Sequence, residues 1–409
     1  MTGNPHFPDD ANSRSARILG GLVQPRPDQP VADNTIAIGR PGRELCFYPA
    51  RQGYELQTEL DFLSNRAMEP NVFFTGRFLA PAMPRLEDRI IRLALIRDND
   101  ERRSRIRFLM PFSIEKPGFS IGAPIIRAWS NPFGPLGVPL LDAEDAAETI
   151  DNFYEALTSP TANLPGVLVL PDIRLKGKFA QLARAVAIGR NLPLTVTDTF
   201  SRPMLESLQD GQTYLRHAIS ASHLRELRRQ WNLLEKVGSV SYNVARQPGD
   251  IRVRMEEFLA LEASGWKGKR GTALSQDPGD AAFIRGAVPA MAASGHCEII
   301  SLRAGDTPVA AAIVLRHLDR AFYFKIGIDE RFAKFSPGVQ LTLDLTRHLC
   351  ADPAIASADP FRYPRATRTV ADFAVRDGKS TLTPVTSTPR ALLRTSSVST
   401  STVSERPPC

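Results

Sequence analysis

Cysteine is scarce in this 409-residue chain. Its four cysteines, Cys46, Cys297, Cys350 and Cys409, lie far apart. That spacing excludes a dense disulfide framework and the paired ligands of a structural zinc site. They read as small buried apolar residues, and no metal is expected. Long apolar runs are also missing. Nothing approaches the ~20 residues of a membrane helix, and the opening MTGNPHFPDDANSRSAR lacks the apolar centre of a secretory signal. A cytoplasmic chain without a membrane span is therefore the expectation. A large one-signed charge is absent too. Of the formal +7, the stretch from Ala354 onward supplies +4, from eight Lys and Arg against four Asp and Glu, leaving +3 for the body. Such balance argues against DNA or another large polyanion as partner.

What is present is an ordinary globular composition, 43% hydrophobic and 23% charged, in a chain long enough for two domains. Residues 1–43 are rich in Pro, Gly, Asp, Asn and Arg without a period and read as a disordered extension. Leu45–Tyr48 is a first strand. Glu55–Ala67 reads as a helix ended by Pro70. Ile90–Ile96 and Arg105–Phe112 flank a charged turn, which is a hairpin pattern. The basic run Arg102–Arg107 then reads as a solvated hairpin tip. With three prolines and two glycines, Trp129–Leu140 forms a bent, packed loop. Asp142–Leu157 and Lys178–Ile188 are helical, and Gly166–Leu170 and Leu194–Thr199 are strands. A strand–helix–strand order there implies a parallel crossover, so the fold class is α/β.

The second half repeats this architecture. His217–Val237 is expected to be one long amphipathic helix, with Arg225, Arg228 and Arg229 on its solvated face. A strand, Ser239–Val244, precedes helices Val253–Ala263 and Gly279–Ala293. Cys297–Arg303 and Pro308–Leu318 form a hairpin through Ala304-Gly305-Asp306. The chain is organised around Ala321 to Cys350. Ala321–Ile328 is an apolar strand with Lys325 as its one charge. A polar loop leads from it to Ser336-Pro337-Gly338, which opens a helix to Cys350. Ser336 is placed as N-cap and Pro337 at the first helical position. A strand that delivers a loop onto a helix N-terminus is a natural seat for an anion.

Three stretches carry a family resemblance: FLALEASGWKGKRGTAL (Phe258–Leu274), AGDTPVAAAIVL (Ala304–Leu315) and YFKIGIDERFAKFSPGVQL (Tyr323–Leu341). Residues from about 217 to 350 resemble the GNAT-type acyltransferases of the FemABX-like, CelD-related branch, often labelled cellulose-biosynthesis proteins. The first half is similar to the degenerate first module of such proteins. The resemblance implies two GNAT-like modules, 44–205 and 206–359, with mixed, mostly antiparallel sheets flanked by helices. It implies transfer of an acyl group from acetyl-CoA or another acyl-CoA to an amine or hydroxyl, in exopolysaccharide or cell-envelope metabolism. The thioester would lie where neighbouring strands splay, and the CoA diphosphate on Phe332–Gly338. Residues expected to contact the donor are Ile326, Gly327, Phe335, Ser336, Pro337 and Gly338. Glu262 is the candidate base, with Lys325 and Asp329 as further catalytic candidates. Trp266 and Lys267 are candidate acceptor contacts. Two alternatives stand beside this reading: a Fem-type transferase taking its acyl group from aminoacyl-tRNA, and a non-catalytic binding or scaffold protein.

After Cys350 the resemblance stops. Pro360-Phe361-Arg362-Tyr363-Pro364 breaks the strand beginning at Ile355, and Ser380–Cys409 is dominated by Ser, Thr and Pro. Residues 360–409 read as a disordered tail or the product of a frameshift, leaving the second module incomplete at its C-terminal side.

Overall fold

Hydrophobic runs bounded by turns set the strands, and the computed structural model describes residues 30–85, 90–100, 103–115, 123–130, 133, 136–206, 209–359 and 366–376. The first half holds β1 (Asn34–Ala37), β2 (Arg43–Pro49), α1 (Gln57–Ser64), α2 (Gly76–Ala82), β3 (Arg92–Asn99), β4 (Ser104–Glu115), β5 (Ile125–Ala128), β6 (Leu140–Leu141), α3 (Ala146–Thr158), β7 (Val167–Arg174), α4 (Lys178–Gly189) and β8 (Leu194–Glu206). The second holds α5 (Gly211–Ala218), α6 (Ala221–Glu235), β9 (Val240–Ala245), α7 (Pro248–Ser264), α8 (Trp266–Lys269), α9 (Pro278–Ala293), β10 (Cys297–Ala304), β11 (Thr307–His317), β12 (Arg320–Ile328), α10 (Pro337–Ala351), β13 (Ser357–Asp359) and β14 (Ala366–Arg376).

The strands form two mixed sheets joined through β8. The spatial order is β1-β2-β3-β4-β5-β7-β14-β8-β13-β12-β11-β10-β9, with β6 against β4. Two neighbouring pairs are parallel, β5 with β7 and β12 with β13. The βαβ crossover of β7, α4 and β8 is present, but its two strands are not neighbours. β14 lies between them, antiparallel to both. A crossover that leaves a gap one strand wide is completed by chain from beyond the second module.

This corrects the reading of 360–409 as tail. Ala366–Arg376 is a sheet strand, with Phe373 and Ala371 buried. The sequence misled because Pro360 and Pro364 end one strand without preventing another from starting. Residues 360–365 and 377–409, with Cys409, lie outside the described residues, as do 1–29 of the N-terminal extension. Within that extension Asn34–Ala37 is a strand paired with β2, against the expectation of disorder up to residue 43. His217–Val237 is two helices rather than one. The chain turns extended at Ile219 and Ser220, and the Ser220 hydroxyl accepts the N–H of His223 as an N-cap. Arg105 and Arg107 are not a solvated tip. Arg105 pairs with Asp142 at 2.8 Å, and buried Arg107 with Asp98 at 2.7 Å.

The cores explain how the halves stay together. One continuous cluster runs from Leu45 and Phe108 through Phe73 and Phe78 to Phe258, Phe283, Phe322 and Phe324. Its centre is a set of aromatic contacts across the seam between modules. Ring centroids are 5.2 Å apart for Phe78–Phe283 and 5.4 Å for Phe73–Phe322, both edge-to-face. On the other face of the second sheet, Tyr214, Leu234, Ile300, Leu341 and Leu345 form a separate cluster under α5, α6 and α10. Thus α7 and α9 cover one face of β10–β12 together with the first module, and α10 covers the opposite face. With both faces covered, β11 is buried almost throughout, as its apolar run VAAAIVL requires.

Candidate functional site

β12 pairs with β11 along its whole length but with β13 only over Arg320–Phe322 against Ser357–Asp359. Beyond Phe322, no described strand covers that edge of β12. Its register on β11 slips between Ile313 and Val314, leaving Phe324 as an extra residue between Tyr323 and Lys325. Such a bulge bends a strand and re-aims its side chains. The Asp329 N–H bonds the Val309 carbonyl at 3.0 Å. By the alternation of an antiparallel ladder, the N–H and C=O groups of Gly327 then face β11, and those of Ile326 and Ile328 face the open edge. The site is therefore a strand edge that no neighbouring strand pairs among the described residues, beside a bulge, where two parallel strands part.

On one side of this edge stands α10. Ser336 occupies the N-cap position with φ 52°, but its hydroxyl caps nothing. The Val339 and Gln340 N–H groups turn back to the Ser336 carbonyl at 2.9 and 3.0 Å. Pro337 has no N–H, so Gly338 is left as the first-turn donor that the helix does not use. The helix start sits directly on the strand, since a side chain at Gly338 would begin 3.1 Å from a methyl of Ile328. Phe335 is buried beneath it.

On the other side is the segment after α7. Glu262 and Lys267 are both buried and form a 2.7 Å ion pair. The second Glu262 oxygen accepts the Leu274 N–H at 2.9 Å. Lys267 Nζ also donates to the Ile326 carbonyl at 2.9 Å, so it meets the open edge of β12 itself. α7 approaches so closely that a Cβ on Gly327 would stand 3.0 Å from the Glu262 nitrogen. A proton acceptor with both oxygens engaged is first of all an anchor for the 265–274 loop. Trp266 is partly exposed, with Arg270 over its ring at 5.2 Å, and stands apart from these contacts. Asp329 caps the turn Glu330–Phe335 and pairs with Arg331 at 2.6 Å; the Arg331 hydrogen bond lowers its pKa.

From the sequence, Lys325 reads as pointing to the sheet's wet face or as lining an acceptor cleft; it is buried, which rules out the first. The bulge turns it toward the first module, where its Nζ lies 3.9 Å from the centroid of Phe133. A cleft opens there at the split, lined by Phe73, Phe133, Leu136, Phe322–Phe324, Arg202 and Asp359. Arg202 from β8 and Asp359 from β13 are both buried and stand 3.8 Å apart. The structure thus sets Lys325, Ile326 and Gly327 along β12 with Ile326 on its open edge, places Ser336–Gly338 on one side and Lys267 with Glu262 on the other, and leaves Asp329 and Trp266 aside. Sequence reasoning missed Arg202, Asp359 and Phe133. Each lies far from β12 in sequence or beyond the matched motifs, and only the strand order brings them together. Among the described residues no group of three or more potential metal ligands occurs, and no helix is long and apolar enough to cross a membrane.

Residues 221–361 match the family of the acetyltransferase (GNAT) domain. No curated protein matches the chain. Among solved structures, FemX is similar over 78% of this chain and 95% of its own, at 8% identity and a TM-score of 0.52. A conserved protein of unknown function from Bacteroides thetaiotaomicron aligns over 78% of this chain and 96% of its own, at 9% identity and a TM-score of 0.48. The C-terminal domain of a putative lysylphosphatidylglycerol synthetase from Agrobacterium fabrum aligns over 79% and 92%, at 12% identity and 0.46. At such identities the likeness is one of fold, and FemX, with a TM-score of 0.52, is similar enough to carry it. The split strands at β12 and β13 therefore lie within the residues that match the acetyltransferase (GNAT) domain family, in a chain similar in fold to FemX.

Proposed function

We propose that this protein is an acyl-CoA-dependent N- or O-acyltransferase, with the cell-envelope or exopolysaccharide role that the sequence resemblance implies. The observation that carries the reading is the parting of β12 from β13 beside the Phe324 bulge, within the matched domain. In this reading the donor's phosphates rest at Ser336-Pro337-Gly338, where the helix dipole and the Gly338 N–H favour negative charge. Its amide-bearing arm runs along the open edge at Ile326 and Ile328 as an added strand would. Its acyl group reaches the bulge, where an edge N–H stabilises charge developing on the thioester oxygen. Phe335 supports the helix start, and Gly327 lets α7 close on the strand. Lys267, held by Glu262, fixes the Ile326 carbonyl; proton removal by Glu262 requires that pair to loosen. Lys325 lies on the acceptor side of the strand. Asp329 and Trp266 hold the loops at its end.

Strands β13 and β14 after α10 speak against a second module cut short at Cys350; the non-catalytic reading stands as the alternative that the following titration decides. The test is calorimetric titration of the full chain with acetyl-CoA, repeated with Ser336→Glu. Micromolar binding that Ser336→Glu abolishes without lowering the melting temperature supports the reading. A folded protein that gives no heat with acetyl-CoA or longer acyl-CoAs, and no rise in melting temperature with them, overturns it, because a ligand of the native state must also raise its stability.

A further inference from the structure

The route from the α10 start to the bulge is already occupied. The helix start borders Ile328, since a Cβ at Gly338 would lie 3.1 Å from its methyl. The bulge lies at Phe324. Between them on the open edge stands the Ile326 carbonyl, and Lys267 Nζ donates to it at 2.9 Å. A donor whose phosphates rest at Gly338 and whose acyl group reaches Phe324 must pass this carbonyl. An amide N–H laid along the edge as an added strand seeks the same oxygen at about 2.9 Å. It also brings its positive end against an ammonium. Ligand and lysine therefore compete for one acceptor.

The same ammonium masks a carboxylate. Lys267 Nζ bonds Glu262 Oε1 at 2.7 Å, and Glu262 Oε2 accepts the Leu274 N–H at 2.9 Å. Both side chains are buried. The backbone around them has other anchors. The Thr272 N–H bonds the Lys267 carbonyl at 2.9 Å, and the Gln276 side chain bonds the Gly268 carbonyl at 2.9 Å. Gly268 packs so tightly on α7 that a Cβ there would stand 1.7 Å from the Ala263 oxygen. The segment is thus held at several points besides the ion pair. The part able to move is the Lys267 side chain, on its flexible aliphatic stem.

We propose that Lys267 is a latch that the donor opens. Binding of the donor's amide-bearing arm displaces Nζ from the Ile326 carbonyl and from Glu262, so the base is freed only in the donor complex. The inference rests on the acyltransferase reading above and adds an order of events to it, donor before transfer. With the ammonium gone, Oε2 keeps the Leu274 N–H and Oε1 is left without its cation. A buried carboxylate oxygen without its counter-ion holds a proton more strongly than a paired one. The acceptor's neutral amine or hydroxyl then gives one proton to Oε1 as its nitrogen or oxygen bonds to the acyl carbon. The carbon–sulfur bond breaks, the sulfur leaves as thiolate, and that proton ends on the sulfur. When the thiol departs, Lys267 returns to Glu262 and Ile326. Lys267 is a positioning residue in this scheme, and Glu262 is the group that takes the proton.

The test is calorimetric titration of acetyl-CoA into the full chain, into Lys267→Met and into the charge-neutral double variant Glu262→Gln/Lys267→Met. Opening the wild type breaks a charge-assisted hydrogen bond that neither variant has, so both should bind acetyl-CoA roughly tenfold more tightly. An ion pair that only anchors its loop predicts the opposite sign, because loosening the loop weakens the site. Should the variants fail to fold, the wild type decides through labelling. N-hydroxysuccinimidyl propionate, read by peptide mass spectrometry, should modify Lys267 several times faster with acetyl-CoA bound than without it. Equal or weaker binding by the folded variants, or labelling of Lys267 that acetyl-CoA does not raise, overturns the latch and leaves the donor reading intact. A folded wild type that does not bind acetyl-CoA overturns the donor reading beneath it.

Discussion

The chain has parallel strands parting in two places, and the two are finished differently. In the first module β5 pairs with β7 at only two positions, Ile126 with Leu168 and Arg127 with Val169. The chain then covers the remaining edge of β7 with its own loop. Gly137 donates its N–H to the Asp172 carbonyl and lies so close to β7 that a Cβ would be 2.0 Å from the Pro171 oxygen. Asn71 bonds the Leu136 and Val138 carbonyls at 3.1 and 2.7 Å, and Trp129 is fully buried at the head of the loop. In the second module the edge of β12 beyond Phe322 has no such cover among the described residues, and a cleft stands beside it. A split that is filled stabilises; a split left open has backbone groups to offer a ligand. The difference makes the first site scaffold and leaves the second as the place where the proposed donor would bind.

The largest effect expected is from truncation after Asp359. Without β14, β7 and β8 lose the strand that both pair with, and the joint between the sheets is cut. Circular dichroism should show no cooperative melting transition for 1–359. A stable, cooperatively folding 1–359 would mean that the first sheet closes without β14. Next is Gly137→Ala, which drives a methyl into backbone that cannot rotate away. About 3 kcal/mol of destabilisation is expected in urea unfolding, at the upper end of overpacking costs. Acetyl-CoA affinity should be unchanged in protein that remains folded. A change in affinity would break the division between filled and open splits.

Much of the second module was legible because its signals are local. The Ala304–Asp306 turn, the apolar run before Asp329 and the Ser336-Pro337 helix start sit where the sequence places them. The roles were less legible. Glu262 reads as a base on its helix, but nothing nearby in sequence announces that Lys267 and the Leu274 N–H will occupy both its oxygens. Lys325 reads as facing the sheet's wet side or an acceptor cleft, and the bulge at Phe324 that re-aims it has no local mark in the sequence. β14 failed as a tail because its pairing partners lie some 160 to 200 residues earlier, so no local period marks it. Arg202 and Asp359 are likewise joined only by strand order.

A smaller effect comes from the seam that holds the two splits in register. His317, at the end of β11, bonds the Ser64 carbonyl of α1 at 3.2 Å and is almost wholly buried. Burial, aided by nearby His296, lowers its pKa from 6.5 to about 4. The folded value is below the unfolded one, so the stability from keeping this ring neutral is complete above pH 6.5 and is lost as the pH falls toward 4. Between pH 6.5 and 5 the loss should be about 2 kcal/mol. Urea midpoints across that range should fall for the wild type and flatten for His317→Gln. An equal slope in both would place the acid sensitivity elsewhere.

The smallest stability effect expected is the one that most sharpens the contrast. Phe133 belongs to the first module, yet its ring faces the open split, half-buried and stacked on Phe283 at 6.4 Å. Truncating a partly exposed ring leaves no closed cavity, so Phe133→Ala should cost about 1 kcal/mol, mostly the lost ring contacts. If the acceptor approaches the open split from this face, the same change should raise the acceptor KM and leave acetyl-CoA affinity intact, since Phe133 stands on the face opposite α10. If Phe133 instead plugs its split as Gly137 plugs the other, Phe133→Ala should lower the melting point by as much as Gly137→Ala does, with no selective effect on either substrate. A stability loss that small, paired with a KM effect confined to one substrate, would be hard to obtain from a filled split, and comparing both quantities in one variant separates the two kinds of site.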